Sequence, residues 1–231
     1  MLDNAKHRAK LIEILKESYG NPELRTALGF KGGTAAMLFY DLPRFSVDLD
    51  FDLLKRDKED TVFEKVKAIL ERHGDLREAR KKRFTLFFLV SYEWGEQTIK
   101  VEISRREVFS GFEPKSYLGI SMLVMKQEDM AAGKLSAIIT RKKPAMRDVF
   151  DSWFFLKNHW PVSREVFEKK TGMSMEEGLK VIVKQVEGIR RNEILQGLGE
   201  LVAQGQKDWA REKLVEETVF QLKLLQEVNR K

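Results

Sequence analysis

The sequence predicts an N-terminal α/β part followed by a helical part. Three stretches of strand length, residues 47–54, 84–92 and 98–104, either alternate apolar with polar residues or are nearly all apolar. Apolar residues between them recur at helical spacing, and after about residue 125 only helical spacing remains. We therefore expect an α/β domain over residues 1–124 and a helical domain over residues 125–231, although periodicity alone also allows one continuous body.

Eight elements are expected in the N-terminal part, and turn or breaker residues end several of its helices. In chain order they are a helix ending at Asn21-Pro22, a short helix before Gly32, a helix over 34–40, a strand over 47–54, a helix ending near Gly74, and strands over 76–83, 84–92 and 98–104.

The C-terminal part is predicted to be all helical. The expected helices cover residues 126–140, 147–157, 163–170, 174–190 and 208–229. Ser174 followed three residues later by Glu177 is the pattern of a capping box, which fixes the start of the fourth of these helices.

Composition excludes several classes of protein. The chain has 231 residues, 42% of them hydrophobic, which is enough for a core and argues against wholesale disorder. It has no Cys, so it has no disulfide framework, thiolate metal site or Cys nucleophile. No pair of its three His residues has metal-ligand spacing. The first 20 residues lack the apolar core of a signal peptide and no apolar run could span a bilayer, so we expect a cytoplasmic protein without a membrane partner.

Paired carboxylates are the main chemical signal. Asp48 and Asp50 lie two apart on a predicted strand, so both side chains project from one face. Glu102 lies on the polar face of a later strand and would complete a three-carboxylate site if the two strands paired. Oxygen ligands without nearby His or Cys favour Mg²⁺, and two such ions promote phosphoryl transfer. An Asp-x-Asp on a solvated edge strand and a surface Glu are the alternatives.

Gly32 and Gly33 precede a predicted helix. Glycines at this place let the backbone approach a ligand, and the free N–H groups of the helix start can bind phosphate oxygens. Thr34 could add a hydroxyl. A simple turn is the alternative for the Gly-Gly pair.

Four blocks in this order resemble a known family. The stretch KGGTAAMLFYDLPRFSVDLDFDL is similar to the AbiEii/MenT-type nucleotidyltransferase toxins of type IV toxin–antitoxin systems, within the polymerase-beta-like superfamily. The matching positions are Gly32, Gly33, Thr34 and Ala35, then Arg44, Ser46, Asp48 and Asp50, then Lys134-Leu135, and finally Arg147, Asp148 and Asp151. The resemblance covers about residues 28–157, and the helices after Pro161 match only as a generic helical tail.

The resemblance implies a nucleotidyltransferase-like fold with a mixed twisted sheet, flanking helices and a helical C-terminal part. It implies Mg²⁺-dependent transfer of a nucleoside monophosphate from an NTP, with release of pyrophosphate, to the 3′ end of tRNA. A protein or small-molecule hydroxyl on the same site and a catalytically silent nucleotide-binding module remain alternatives. An antitoxin protein is an expected partner from the resemblance alone.

Four further residues have two interpretations each. Lys134 lies on an apolar helix face, so it either extends to solvent or, as the family pattern favours, contacts the triphosphate. Asp148 is a candidate catalytic residue that either orients Lys134 or takes the proton of the attacking hydroxyl. Asp151 either shares that role or pairs with Arg147 four residues earlier. Ser46 could contact phosphate, accept a phosphoryl or nucleotidyl group, or make a local hydrogen bond.

Positive charge is unevenly distributed, although the net charge is only +6. One cluster contains Arg77, Arg80, Lys81, Lys82 and Arg83, and another contains Arg141, Lys142, Lys143 and Arg147. These clusters could contact the phosphates of an RNA acceptor, or they could be two solvated basic faces.

Overall fold

The computed structural model describes residues 3–92 and 97–229 of the chain. It divides into two compact units. The first contains Met1–Asp41 and Phe45–Met125, and the second contains Leu42–Arg44 and Lys126–Lys231. The first unit is α/β and the second is helical, so the predicted fold class is confirmed. Because Leu42–Arg44 joins the second unit, the division is not a single cut in the sequence.

Four α-helices belong to the first unit within the part of the chain that the structure describes. They are α1 (Asn4–Gly20), α2 (Pro22–Ala27), α3 (Gly32–Phe39) and α4 (Glu59–His73). Asp3 caps α1 by accepting from the N–H groups of Ala5 and Lys6. Asn21 caps α2 in the same way, and Pro22 occupies its first position, where a missing N–H has no effect.

A seven-stranded mixed sheet forms the centre of the first unit within the described residues. Its strands are β1 (Leu28–Lys31), β2 (Leu49–Leu53), β3 (Asp75–Lys82), β4 (Thr85–Tyr92), β5 (Gln97–Ser104), β6 (Phe112–Tyr117) and β7 (Ile120–Met125). Their order is β3-β4-β5-β2-β1-β7-β6. The β2–β5 and β1–β7 pairs are parallel, and the other neighbours are antiparallel.

Strand alternation divides the sheet into an apolar face and a polar face. Leu49 and Phe51 of β2 are fully buried, as are Ile99, Val101 and Ile103 of β5. Residues between them, including Asp50 and Glu102, are only half-buried. Helices α1 and α4 supply the apolar side chains of the same core, including Leu11, Leu15, Val62 and Val66.

The sequence prediction missed three strands. It gave no strand at Leu28–Lys31, which has only four residues, too few for a period-two pattern to be recognised. It also gave none at Phe112–Tyr117 or Ile120–Met125. The first of these contains Pro114 and lies at the sheet edge, where proline is tolerated in strands.

The second unit contains five helices in its described residues. They are α5 (Gln127–Thr140), α6 (Met146–Lys157), α7 (Arg164–Thr171), α8 (Met175–Glu187) and α9 (Gln204–Val228). The Ser174–Glu177 capping box is present as predicted. Helix α5 packs against α6 and α7, while α9 packs against α6 and α8. None of the helices in residues 3–92 and 97–229 is sufficiently long and apolar to cross a membrane.

Candidate active site

Three carboxylates lie on the polar face of the sheet, where two parallel strands meet. Asp50 of β2 is the register partner of Glu102 of β5, so their side chains lie side by side on one face. Asp48 immediately precedes β2 and has a side chain that is 20% exposed. The strand pairing therefore brings Asp48, Asp50 and Glu102 to one face of the sheet, which is the condition that the sequence analysis left open.

Lys100 lies among these carboxylates. It is two residues before Glu102 on β5, and its Nζ is 3.1 Å from Asp48 Oδ2 and 3.6 Å from Glu102 Oε2. One ammonium group thus compensates two of the three negative charges. Sequence analysis assigned no role to Lys100.

Electrostatics within this group disfavour a charged Asp50. Burial raises the pKa of Asp50, and repulsion from Asp48 and Glu102 raises it further, against the attraction of Lys31 and Lys100. Burial alone would lower the pKa of Lys100, but Asp48 and Glu102 raise it by more. Because these three carboxylates repel one another, binding of a cation among them would be favourable.

The donor set fits a hard metal ion, although its present geometry is not that of a bound one. In residues 3–92 and 97–229 no three carboxylate or His side chains converge closely enough to hold a metal ion. The Lys100 ammonium lies between Asp48 and Glu102, where a cation would be held. All three donors are oxygen ligands of the kind that Mg²⁺ prefers. Asp48 and Glu102 are close enough to Asp50 to raise its pKa.

The start of α3 packs directly against Asp50. Gly32 has φ +80°, a conformation that favours glycine, and a Cβ atom there would lie 2.6 Å from Asp50 Oδ2. Gly32 follows Lys31, whose register partner on β2 is Asp50. Glycine at position 32 therefore allows the backbone at the start of a helix to touch a carboxylate of the site.

Thr34 and Ser46 join α3 to the segment before β2. The Thr34 hydroxyl donates to the carbonyl oxygen of Asp48, and its oxygen lies 2.9 Å from Ser46 Oγ. Both side chains are buried. The local hydrogen bond anticipated for Ser46 is present, and both hydroxyls hold the backbone that carries Asp48.

Two further contacts fix the carboxylate strand, and sequence analysis assigned neither. Lys31 forms an ion pair with Asp52, at the far end of β2. His7, buried on α1, lies with Nε2 2.9 Å from the carbonyl oxygen of Val47. Burial lowers the pKa of His7, which favours the neutral ring. Only the helical spacing around residue 7 could have indicated that this His faces the core.

The second unit contains a separate buried ionic cluster. Arg44 donates from Nε and Nη2 to the two carboxylate oxygens of Asp151, at 2.5 and 2.7 Å. Lys134 Nζ lies 2.7 Å from Asp148 Oδ1 and 2.9 Å from Asp151 Oδ2. Asp148 and Asp151 are almost fully buried, so each needs these cations.

This cluster favours one of the interpretations left open for each aspartate. Asp151 contacts Arg44 and Lys134 instead of the anticipated Arg147. Asp148 binds Lys134, and its second oxygen lies 3.0 Å from Arg141 Nε, which favours orientation of Lys134 over proton acceptance. The triphosphate contact of Lys134 stays a prediction.

Strand alternation also divides the first basic cluster. Lys81 binds Asp60 at the start of α4 and lies over the Phe63 ring, on the face that α4 covers. Arg80 and Lys82 project to the opposite face, because Arg80 is the register partner of Phe87, which in turn faces Glu102. Arg83 lies in the turn after β3, over the Phe84 ring. In the second unit, Lys142 and Lys143 are exposed beyond α5.

Comparison with known families decides the assignment of this chain. The profile of the family described as Nucleotidyl transferase AbiEii toxin, Type IV TA system, matches residues 13–215. The chain belongs to this AbiEii family. It is therefore a nucleotidyltransferase, and the resemblance seen in the four sequence blocks is confirmed at the level of the family.

Two solved structures from Helicobacter pylori share the fold of this nucleotidyltransferase. JHP933 has a TM-score of 0.66 and 23% identity, over 100% of this chain and 94% of that one. A protein described as a candidate nucleotidyltransferase has a TM-score of 0.65 and 24% identity, over 100% and 97%. At these identities the likeness concerns the fold. The curated proteins include no match to the chain.

We expect Gly32→Ala to impair the nucleotidyltransferase far more than Gly119→Ala. Both glycines have positive φ, +80° and +78°, so alanine strains both by about 1–2 kcal/mol. Only at Gly32 would the new Cβ also collide with Asp50, whereas Gly119 faces open space. A shift of the Asp50 carboxylate by ~1 Å should reduce transfer about a hundredfold. Steady-state rates of both variants test this, and equal rates would contradict the steric argument.

The stability contributed by Asp151 should disappear in acid. Although burial raises its pKa, Lys134 and Arg44 lower it by more, so the folded-state pKa lies below the ordinary 3.8. The stabilisation is therefore complete above the unfolded-state value and is lost as the pH falls through the folded-state value. Urea unfolding of the nucleotidyltransferase and its Asp151→Asn variant, between pH 2 and 6, should show a difference that shrinks below about pH 4. A difference independent of pH would contradict the assignment.

Proposed function

We propose that this nucleotidyltransferase moves a nucleoside monophosphate from an NTP to the 3′ end of tRNA, with Mg²⁺ held by Asp48, Asp50 and Glu102. One observation carries the proposal. Asp48, Asp50 and Glu102 share a sheet face, and Asp50 lies against the glycine that starts a helix. This arrangement supports a metal-binding site next to a site for the phosphate oxygens of the NTP.

The reaction forms one bond and breaks one. The acceptor hydroxyl oxygen bonds to the α-phosphorus, the bond from that phosphorus to the bridging oxygen of the β-phosphate breaks, and pyrophosphate leaves. The hydroxyl proton passes to solvent or to a carboxylate of the site. Bound Mg²⁺ would polarise the phosphate oxygens and offset charge on the leaving group.

The residues of this chain have separate tasks in that reaction. The backbone at Gly32 and Gly33, at the start of α3, would bind phosphate oxygens of the NTP. Thr34 and Ser46 hold the segment that carries Asp48. Lys100 neutralises the carboxylates before a metal arrives and is then free to contact the phosphates.

Charge around the site supports RNA as the acceptor. Arg80 and Lys82 are exposed and project from the sheet face that carries the carboxylates. A nucleic acid would be attracted to these cations, whereas a neutral small-molecule acceptor would gain nothing from them. The family belongs to type IV toxin–antitoxin systems, so we also propose an antitoxin protein as a partner.

One incubation distinguishes the acceptors. The full chain with Mg²⁺ is given each α-labelled NTP in turn, with bulk tRNA, and RNA is then separated from protein. We expect label at the 3′ end of tRNA with at least one NTP. Label in the protein fraction when RNA is omitted would instead support a protein hydroxyl, and label in neither fraction would contradict both acceptors.

A further inference from the structure

The carboxylate face of the sheet continues into an aromatic and basic surface. Cross-strand register places five side chains in one row, in the order Arg80, Phe87, Glu102, Asp50 and Lys31. Directly opposed residues on neighbouring strands share a face, so this row runs from the edge strand β3 to β1 across the candidate active site. Phe87 thus lies between the carboxylates of the candidate site and the basic edge.

Phe87 is an aromatic residue on the polar face of the sheet. Its neighbours Leu86 and Phe88 are fully buried on the opposite face, while Phe87 remains half-buried on the polar one. Lys82 Nζ lies over its ring, 3.3 Å from the centroid, and also 3.5 Å from Glu78 Oε1. The Lys82 side chain is 46% exposed, so a phosphate in solution can reach it.

The sheet order decides which substrate lies on this side. The glycines at the start of α3 follow β1, on the opposite side of Asp50 from Glu102 and Phe87. A triphosphate bound there would have its leaving pyrophosphate toward β1. In-line displacement requires the attacking hydroxyl on the opposite side of the α-phosphate, which is the side of β5 and β4.

We infer that Phe87 is the stacking surface for a base at the 3′ end of the RNA acceptor, with Lys82 and Arg80 on its phosphates. The inference rests on the proposed function and names the acceptor subsite. A phenylalanine ring stacks on any base, and adjacent cations follow the backbone, which is the usual arrangement for single-stranded nucleic acid. On RNA binding the Lys82 ammonium moves from the ring to a phosphate.

Two matched pairs of variants test the subsite. Phe87→Leu keeps an apolar side chain and removes the ring, and Phe84→Leu is its control, since Phe84 is exposed in the adjacent turn and outside the row. Lys82→Gln and Lys81→Gln remove the same charge from neighbouring positions on opposite faces of the sheet.

The readout is transfer of α-labelled NMP to bulk tRNA, with KM measured separately for tRNA and for NTP. We expect Phe87→Leu to raise KM for tRNA about tenfold and to leave KM for NTP unchanged. Lys82→Gln should also raise KM for tRNA and reduce the slope of log affinity against log salt by about one. Both control variants should behave as wild type.

Two outcomes would overturn the inference. Wild-type KM for tRNA in Phe87→Leu would exclude stacking, and an equal rise of KM for NTP would place the base of the NTP on Phe87. Absence of any transfer to RNA by the wild-type chain is a different result, because it would refute the proposed acceptor and the subsite with it. Circular dichroism of each variant checks that the sheet is intact.

Discussion

Replacing Asp50 by Asn should reduce nucleotidyl transfer by about a thousandfold and leave the protein folded. The amide is nearly the same size as the carboxylate but cannot supply negative charge to a cation. Burial and two neighbouring carboxylates already disfavour a charged Asp50. The thermal midpoint of the Asp50→Asn variant should therefore be equal to or above that of the wild type. Asp48→Asn should lose activity to a similar degree.

Asp57→Asn is the matched control for these variants. It is the same chemical change at an exposed acidic residue of the first unit, in the short 3₁₀ helix before α4. Initial rates of label transfer and thermal unfolding should be measured on all three variants. Full transfer activity in either Asp48→Asn or Asp50→Asn would contradict the assignment of these carboxylates as metal ligands.

The largest effect on stability is expected for Asp151→Ala, about 3–5 kcal/mol in the free energy of unfolding. The variant removes the two Asp151 oxygens that accept hydrogen bonds from the Arg44 guanidinium, whose side chain is only 3% exposed. Lys134 retains Asp148, so Arg44 accounts for most of the loss. Urea unfolding monitored by circular dichroism measures the change.

The double variant Arg44→Met with Asp151→Leu distinguishes the effect of an uncompensated charge from the effect of lost packing. If the loss arises from an uncompensated buried charge, the double variant should be more stable than Asp151→Ala, because both charges are gone. Asp208→Ala removes an exposed partner of Arg211 in α9 and should change stability little. A double variant as unstable as the single one would show that packing, not charge, dominates at this position.

Sequence periodicity predicted the part of the site that depends on one strand at a time. Alternation placed Asp48 and Asp50 on one face of a strand and Glu102 on the polar face of another. The pairing that brings them together, Asp50 beside Glu102, depends on strand order. Strand order in turn depends on β1, β6 and β7, which were too short or too irregular for the pattern to reveal.

The residues that the sequence did not assign act through neighbours distant in the chain. Lys100 contacts Asp48 across the β2–β5 pair, and His7 of helix α1 contacts the backbone of Val47 before β2. The basic run at 80–83 looked like one cluster, but alternation along β3 sends Lys81 to α4 and Lys82 to the carboxylate face. Periodicity indicates that adjacent residues of a strand point to opposite faces of the sheet. Only the register with the neighbouring strand shows which of the two residues lies on the face of the site.

The position of the transferred label tests the central claim most directly. The full chain, with Mg²⁺ and bulk tRNA, is supplied in parallel with α-labelled and γ-labelled samples of the same NTP. Nucleotidyl transfer predicts that the α-label enters RNA, that the γ-label appears in pyrophosphate, and that Asp50→Asn abolishes both. Entry of the γ-label into an acceptor, or transfer of the α-label undiminished in Asp50→Asn, would contradict the account.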